Sequence, residues 1–203
     1  MRQIKVCGLT KQDQVSALEQ LDEIHMLGFI FYAKSKRYVG KVVPGSSGKK
    51  RIAVFVNELI SEVKEIIVKH DIDEVQLHGE ESPEYCKELR SELPVIKAFG
   101  IDETFDFSTL ERYEKVVDCY LFDTKTIEYG GSGRSYNWSI LDHYQGDVPF
   151  VLSGGISINH VKALREFNHQ KCIGIDINSG FESSPGSKKV IEIEEFIKKL
   201  NHD

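Results

Sequence analysis

The sequence predicts an α/β fold, a single small (β/α)8 TIM barrel over residues 1–203 with a shortened or irregular second helix. Three observations predict it. Eight short apolar runs recur along the chain, most of them apolar throughout, which is the composition of parallel strands buried on both faces. The stretches between them place apolar residues three and four apart, as helices packed on such a sheet require. Eight strand-and-helix units are also the number that closes a parallel sheet on itself and leaves no edge. At roughly 25 residues per unit the chain stands at the small end of such barrels. The competing doubly wound open sheet announces itself with a G-x-G-x-x-G turn after its first strand, and Cys7-Gly8-Leu9-Thr10 is not one.

The first strand, Ile4-Lys5-Val6, ends in a thiol and a glycine, and Val15, Ala17, Leu18 and Leu21 give the stretch from Gln12 to Leu21 a buried helical face. Met26 to Tyr32 is the second strand. Beyond Tyr38, Pro44 with Gly40, Gly45 and Gly48 disfavours a long helix, so a short turn or loop is expected there. Ile52 to Asn57 is the third strand, followed by a helix from Glu58 to His70 with Leu59, Val63, Ile66 and Ile67 on one side. Val75 to Gly79 is the fourth. Ser82 and Pro83 then open a helix as cap and first-turn proline, with Tyr85, Leu89 and Leu93 as its face. Val95 to Gly100 is a strand, Thr104 to Tyr113 a poorer helix, and Cys119 to Asp123 the sixth strand. Gly130-Gly131-Ser132-Gly133 follows, expected as a mobile cover or a close-approach segment, and a short helix is expected near Trp138 to Tyr144. Phe150 to Gly155 is a strand, Ile158 to Phe167 a helix, Ile173 to Asp176 the last strand, and Ile191 to Leu200 the closing helix.

Composition narrows the function classes. With 40% hydrophobic and 29% charged residues, the chain reads as an ordinary soluble protein able to bury about 70% of its unfolded surface in one core. A net charge of −6 argues against a nucleic-acid partner, yet leaves room for a phosphate site made of backbone amides. Cys7, Cys86, Cys119 and Cys172 form no C-x-x-C pair, so neither a zinc ribbon nor a redox dithiol is suggested. The opening strand lacks the basic region and apolar run of a secretory signal, and no 18-residue apolar segment occurs. A cytoplasmic protein with no membrane span is therefore expected.

In a closed barrel of this kind the active site lies at the C-terminal ends of the strands, so the polar residues that end apolar runs are the ones to collect. They are Cys7, Arg37 a little beyond the second strand, Asn57, Gln76 and His78, Asp123, Ser153, and Asp176 with Asn178 and Ser179. Taken singly each has a plainer reading: Cys7 as a small buried side chain, Asp123 as the cap of its turn, His78 as a structural histidine. The glycine loops are stronger signals. Ser153-Gly154-Gly155 after the seventh strand and Ser179-Gly180 after the eighth occupy the two places where such barrels build a phosphate site, and phosphate needs the close backbone approach that only glycine permits.

Together these stretches resemble a known family. Lys5-Val6-Cys7-Gly8-Leu9-Thr10, Ser35 to Val39, Val54 to Asn57, Val75-Gln76-Leu77-His78-Gly79, Phe122-Asp123-Thr124 with Gly130 to Gly133, Leu152 to Ile156, and Asp176 to Glu182 resemble, in order, the signatures of phosphoribosylanthranilate isomerase of tryptophan biosynthesis. The resemblance implies a barrel that needs no cofactor and no metal. It implies an Amadori rearrangement of N-(5'-phosphoribosyl)anthranilate to 1-(2-carboxyphenylamino)-1-deoxyribulose 5-phosphate. By the same resemblance Asp123 is the general acid toward the furanose ring oxygen, Cys7 the general base toward C2, and Arg37 the partner of the anthranilate carboxylate. Gln76, His78 and Asp176 then fall to substrate binding, and Ser153, Gly154, Gly155, Ser179 and Gly180 to phosphate. The implied partner is that small phosphorylated substrate, with no nucleic acid, membrane or obligate protein partner.

The chemistry sets its own conditions. A basic thiol needs a nearby positive charge, for which Lys5 and Arg37 are candidates, and an acidic Asp123 needs burial or a neighbouring carboxylate such as Asp176. The chain departs from the family pattern at Lys36, at Pro44 to Gly48, at His160 and at Lys189, none of which bears the proposed chemistry. Three other readings stay open: a lysine-dependent phosphosugar barrel such as indole-glycerol-phosphate synthase, with Lys97 as its one candidate lysine; a metal-dependent epimerase using His78, Asp123 and Asp176; and an idle phosphate-binding barrel.

Overall fold

The computed structural model describes residues 3–40, 42–46, 48–125 and 137–201, so the expectation for Gly130 to Gly133 lies outside the described residues. Eight parallel strands close into a barrel in sequence order: β1 (Gln3–Val6), β2 (Ile24–Ile30), β3 (Lys50–Phe55), β4 (Glu74–Leu77), β5 (Val95–Ile101), β6 (Cys119–Thr124), β7 (Phe150–Leu152) and β8 (Cys172–Ile177). Closure is made by β8 against β1, with Asp176 beside Lys5 and Ile177 beside Val6. The α-helices are α1 (Gln12–Glu19), α2 (Ile60–Lys69), α3 (Pro83–Arg90), α4 (Val161–Glu166) and α5 (Val190–Asn201). None of the described helices is long and apolar enough to cross a membrane.

Local chemistry accounts for several element ends. Ser82 accepts from the Tyr85 amide and Pro83 occupies the first turn of α3, where its missing N–H costs nothing. No helix stands between β2 and β3 among the described residues, as Pro44 and its glycines require. Two expected helices are tighter than expected: Phe107–Tyr113 and Trp138–His143 are 3-10 turns, each capped by an Asp or Asn side chain, Asp106 and Asn137. His160 accepts the Ser157 N–H through Nδ1 and so closes the start of the helical segment that leads into α4. One element was not anticipated at all, a small hairpin of β9 (Glu182–Ser184) and β10 (Ser187–Lys188) between β8 and α5.

The core has two parts, set by the period of two along each strand. Ile4, Val6, Ala53, Phe55, Val75, Leu77, Tyr120, Phe122, Ile175 and Ile177 face the helices and join them in one large cluster. Met26, Ile52, Ile96, Ala98, Cys119, Leu121 and Val151 form a second, smaller one inside the barrel. The same alternation puts Lys5, Gln76 and Asp176 on the inner face, where burial is nearly complete.

Candidate active site

At the C-terminal ends of the strands the barrel opens into a pocket of about 640 Å³. Cys7, Gln76, His78, Asp123 and Asp176 line it from β1, β4, β6 and β8, and Ser153, Gly154, Gly155, Ser179 and Gly180 line it from the loops after β7 and β8. Inward positions recur every second residue, so Lys5 leads to Cys7, Gln76 to His78, and Leu121 to Asp123. Ten of the eleven site residues expected from the sequence thus share one wall-to-wall cavity; Arg37 is the exception.

The Cys7 thiol is buried and packed against Gly28, where an added Cβ would fall 2.8 Å from the sulfur. Beside it Lys5, wholly buried, donates from Nζ to Asp176 Oδ1 at 3.0 Å. Burial is the largest influence on the thiol and pushes it above its ordinary value; Lys5 and Lys188 pull the other way and Asp176 adds to the push. Burial also raises the Asp176 carboxyl against the attraction of Lys5, while on Lys5 burial is outweighed by Asp176 and Cys7, which hold its ammonium charged. The positive charge that a basic thiol requires is therefore present, from Lys5 first and Lys188 second.

Across the pocket, Asp123 Oδ1 accepts the Thr124 N–H at 2.8 Å and Oδ2 lies 3.4 Å from His78 Nε2. The carboxylate both steadies its own turn and faces the cavity. His78 Nδ1 in turn meets Gln76 Nε2 at 3.2 Å. Asp123, His78 and Gln76 form one chain of contacts from pocket to barrel wall.

The two glycine loops fit against neighbouring backbone so closely that no side chain is tolerated. Gly154 adopts φ +99, a region few other residues enter, and a Cβ there would lie 2.3 Å from Thr124 Oγ1. A Cβ on Gly180 would stand 2.1 Å from the Ile156 carbonyl oxygen, so this residue is where the β7 and β8 loops touch. Among the described residues no acceptor engages the amides of Gly154 and Gly155, which leaves backbone donors at the pocket rim.

Arg37 stands at the rim and does not line the cavity. Its stem crosses Gly8, whose φ of +75 and missing side chain leave room 2.7 Å from where a Cβ would be. Its Nε and Nη2 donate to both oxygens of Glu182, the shortest contact being 2.7 Å, and among the described residues Nη1 makes no hydrogen bond. Lys188 Nζ joins the same carboxylate at 2.6 Å and Asn178 Oδ1 at 2.7 Å. Burial, the largest influence on Glu182, works against its charge, but Arg37 and Lys188 hold it below the usual carboxylate range. Neither Glu182 nor Lys188 is among the site residues expected from the sequence, although Glu182 ends the stretch from Asp176 that resembles the family. Their charges flank Pro185-Gly186 in sequence, and only the hairpin brings them face to face.

Lys97 lies elsewhere. Its neighbours Ile96 and Ala98 face the barrel interior, and its own Nζ is buried on the other face of β5 against Glu81 Oε2 and the carbonyls of Leu77, Gly79 and Ala98. A lysine-dependent synthase would need that ammonium in the mouth. The structure puts it in the outer layer instead.

Comparison with known proteins agrees. Residues 4–199 match the family model described as N-(5'phosphoribosyl)anthranilate (PRA) isomerase. The N-(5'-phosphoribosyl)anthranilate isomerase of Parabacteroides distasonis is 41% identical, over 98% of this chain and 93% of that one. The solved phosphoribosyl anthranilate isomerase of Thermotoga maritima is 32% identical and superposes with a TM-score of 0.82 over 98% of both chains. A second solved isomerase, in complex with reduced 1-(o-carboxyphenylamino)-1-deoxyribulose 5-phosphate, is 29% identical with a TM-score of 0.78 over 98% of both. The chain belongs to the phosphoribosylanthranilate isomerase family, the barrel isomerases of tryptophan biosynthesis.

Proposed function

We propose that this chain turns N-(5'-phosphoribosyl)anthranilate into 1-(2-carboxyphenylamino)-1-deoxyribulose 5-phosphate by acid and base catalysis from opposite sides of the barrel mouth. One observation carries the reading: Cys7 on β1 and Asp123 on β6 share a single pocket with both glycine loops. Asp123 gives a proton to the furanose ring oxygen, the C1–O bond breaks with its electron pair on that oxygen, and the amine nitrogen closes a Schiff base. Cys7 then takes the proton from C2, and the resulting enolamine gains a proton at C1 and loses one from the C2 hydroxyl. C2 is oxidised as C1 is reduced within one molecule, so the rearrangement balances without an electron carrier.

The remaining residues hold the substrate. The Gly154, Gly155 and Gly180 backbones, with Ser153 and Ser179, take the 5'-phosphate. Arg37 takes the anthranilate carboxylate on the Nη1 edge that Glu182 leaves open, a charge-assisted contact. His78 holds the ribose side of the cavity with Gln76 bracing it from behind, and the Lys5–Asp176 pair sets the charge around Cys7. The substrate is a small phosphorylated sugar bearing an anthranilate; no nucleic acid, membrane or obligate protein partner enters this reading, and the cytoplasm is its setting.

The test is a fluorescence assay following consumption of phosphoribosylanthranilate generated in situ. Consumption well above that of a Cys7→Ala control is expected. Equal rates in the two would overturn the reading.

A further inference from the structure

We propose that Gln76 is a positioning residue for the acid half of the reaction: it fixes the His78 ring in the tautomer that presents Nε2–H to Asp123 Oδ2. The inference rests on the proposed reaction and deepens it. Gln76 lies on β4 and His78 one residue beyond its end, so the two are consecutive inward positions, and Gln76 is 1% exposed. An amide nitrogen donates and does not accept. With Gln76 Nε2 at 3.2 Å from His78 Nδ1, that ring nitrogen is the acceptor, and a neutral ring then carries its proton on Nε2. Nε2 lies 3.4 Å from Asp123 Oδ2, a separation of the kind that tightens when substrate fills a site.

The consequence falls on the conjugate base of the acid. When Asp123 passes its proton to the ring oxygen, a full negative charge is left on its two oxygens. Oδ1 already receives the Thr124 N–H, and His78 Nε2 stands 3.4 Å from Oδ2, so a small turn of the ring puts one donor on each oxygen as the charge appears. The opposite orientation of the Gln76 amide would put Oε1 against Nδ1–H and turn the bare Nε2 lone pair toward a carboxylate. Among the described residues Gln76 Oε1 has no hydrogen-bond partner although it is fully buried, and such an orphan calls for an explanation. It is explained if the nitrogen end of the amide has the task and the oxygen end is left over.

The tautomer is read directly from the long-range proton–nitrogen correlation spectrum of the His78 ring, recorded on the full chain without substrate at about pH 8, above the ordinary histidine range. Wild type is expected to show protonated Nε2 and bare Nδ1. Gln76→Met is expected to show mixed tautomers and a kcat lower by about 10-fold with KM within about 2-fold, since a donor to a charge present only after proton transfer acts on the transition state. A wild-type Nδ1–H ring, or a Gln76→Met protein with the same tautomer and the same kcat, would overturn the proposal. If Gln76→Met does not fold, the wild-type spectrum decides alone, bare Nδ1 for and protonated Nδ1 against. Because the spectrum is taken without substrate, a wrong reading of the reaction shows as absent turnover with Nε2–H intact. A wrong reading of Gln76 shows as Nδ1–H.

Discussion

Lys5 and Asp176 face each other at 3.0 Å across the seam where β8 meets β1, both buried, one inward position before Cys7. They are neighbours in the parallel register, so closure of the barrel itself makes the pair. Removing one partner strands the other charge out of water. Lys5→Met is expected to cost about 3–5 kcal/mol of unfolding free energy, and Lys5→Met with Asp176→Leu to recover most of it. Urea unfolding of the two singles and the double checks this; additive losses would show that the two charges do not depend on each other.

Arg37 is held by Glu182 through Nε and Nη2, and among the described residues its Nη1 has no partner. Losing a charged hydrogen bond to the substrate carboxylate is worth about 1.5–3 kcal/mol, so Arg37→Met is expected to raise KM by roughly 10–100-fold and to change kcat less. Glu182→Gln keeps the shape but weakens the grip on the guanidinium, and a smaller rise in KM is expected. Steady-state kinetics on the three proteins decides it.

Gly180 is the contact between the loops after β7 and β8. A Cβ there meets the Ile156 carbonyl oxygen at 2.1 Å, and a backbone atom does not step aside as a flexible side chain does. Gly180→Ala is expected to part the loops and weaken binding of a phosphorylated product analogue by at least ~10-fold, read by titration calorimetry. The barrel far from the mouth has no part in this contact, so far-ultraviolet circular dichroism is expected to be unchanged.

The alkaline limb of stability follows from two thiols outside the site. Burial pushes Cys86 and Cys119 from an ordinary 9.0 up to about 12. Between those values the folded protein keeps protons that the unfolded chain has released, so the stability they contribute is full below pH 9 and is lost as pH rises toward 12. Each group contributes a slope of about 1.4 kcal/mol per pH unit in that window. Denaturation midpoints are expected to fall more steeply above pH 9 in wild type than in Cys86→Ala/Cys119→Ala.

The barrel was legible because fully apolar runs leave few choices. Ile52 to Phe55 or Phe150 to Leu152 must be covered on both sides, and eight such strands close. Cys7, His78 and Asp123 were legible because each ends such a run, and strand alternation then turns them to the mouth. Glu182 and Lys188 were not, because their roles depend on a hairpin around Gly186 that carries only two short strands. Phe107–Tyr113 reads as a helix but tightens to a 3-10 turn, with Leu110 and Tyr113 buried and Asp106 capping it. Arg37 was collected from its place just beyond the second strand and given its role by resemblance; that it stands outside the cavity lining and grips Glu182 are tertiary facts that no local pattern encodes.

The central claim is that Cys7 and Asp123 perform the chemistry and do not merely shape the pocket. Turnover of Cys7→Ala and of Asp123→Asn, measured beside wild type together with their unfolding midpoints, tests it most directly. A fall in kcat of at least ~100-fold in each, with little change in stability, is the predicted result. Near-normal turnover in either variant would contradict the role assigned to that residue.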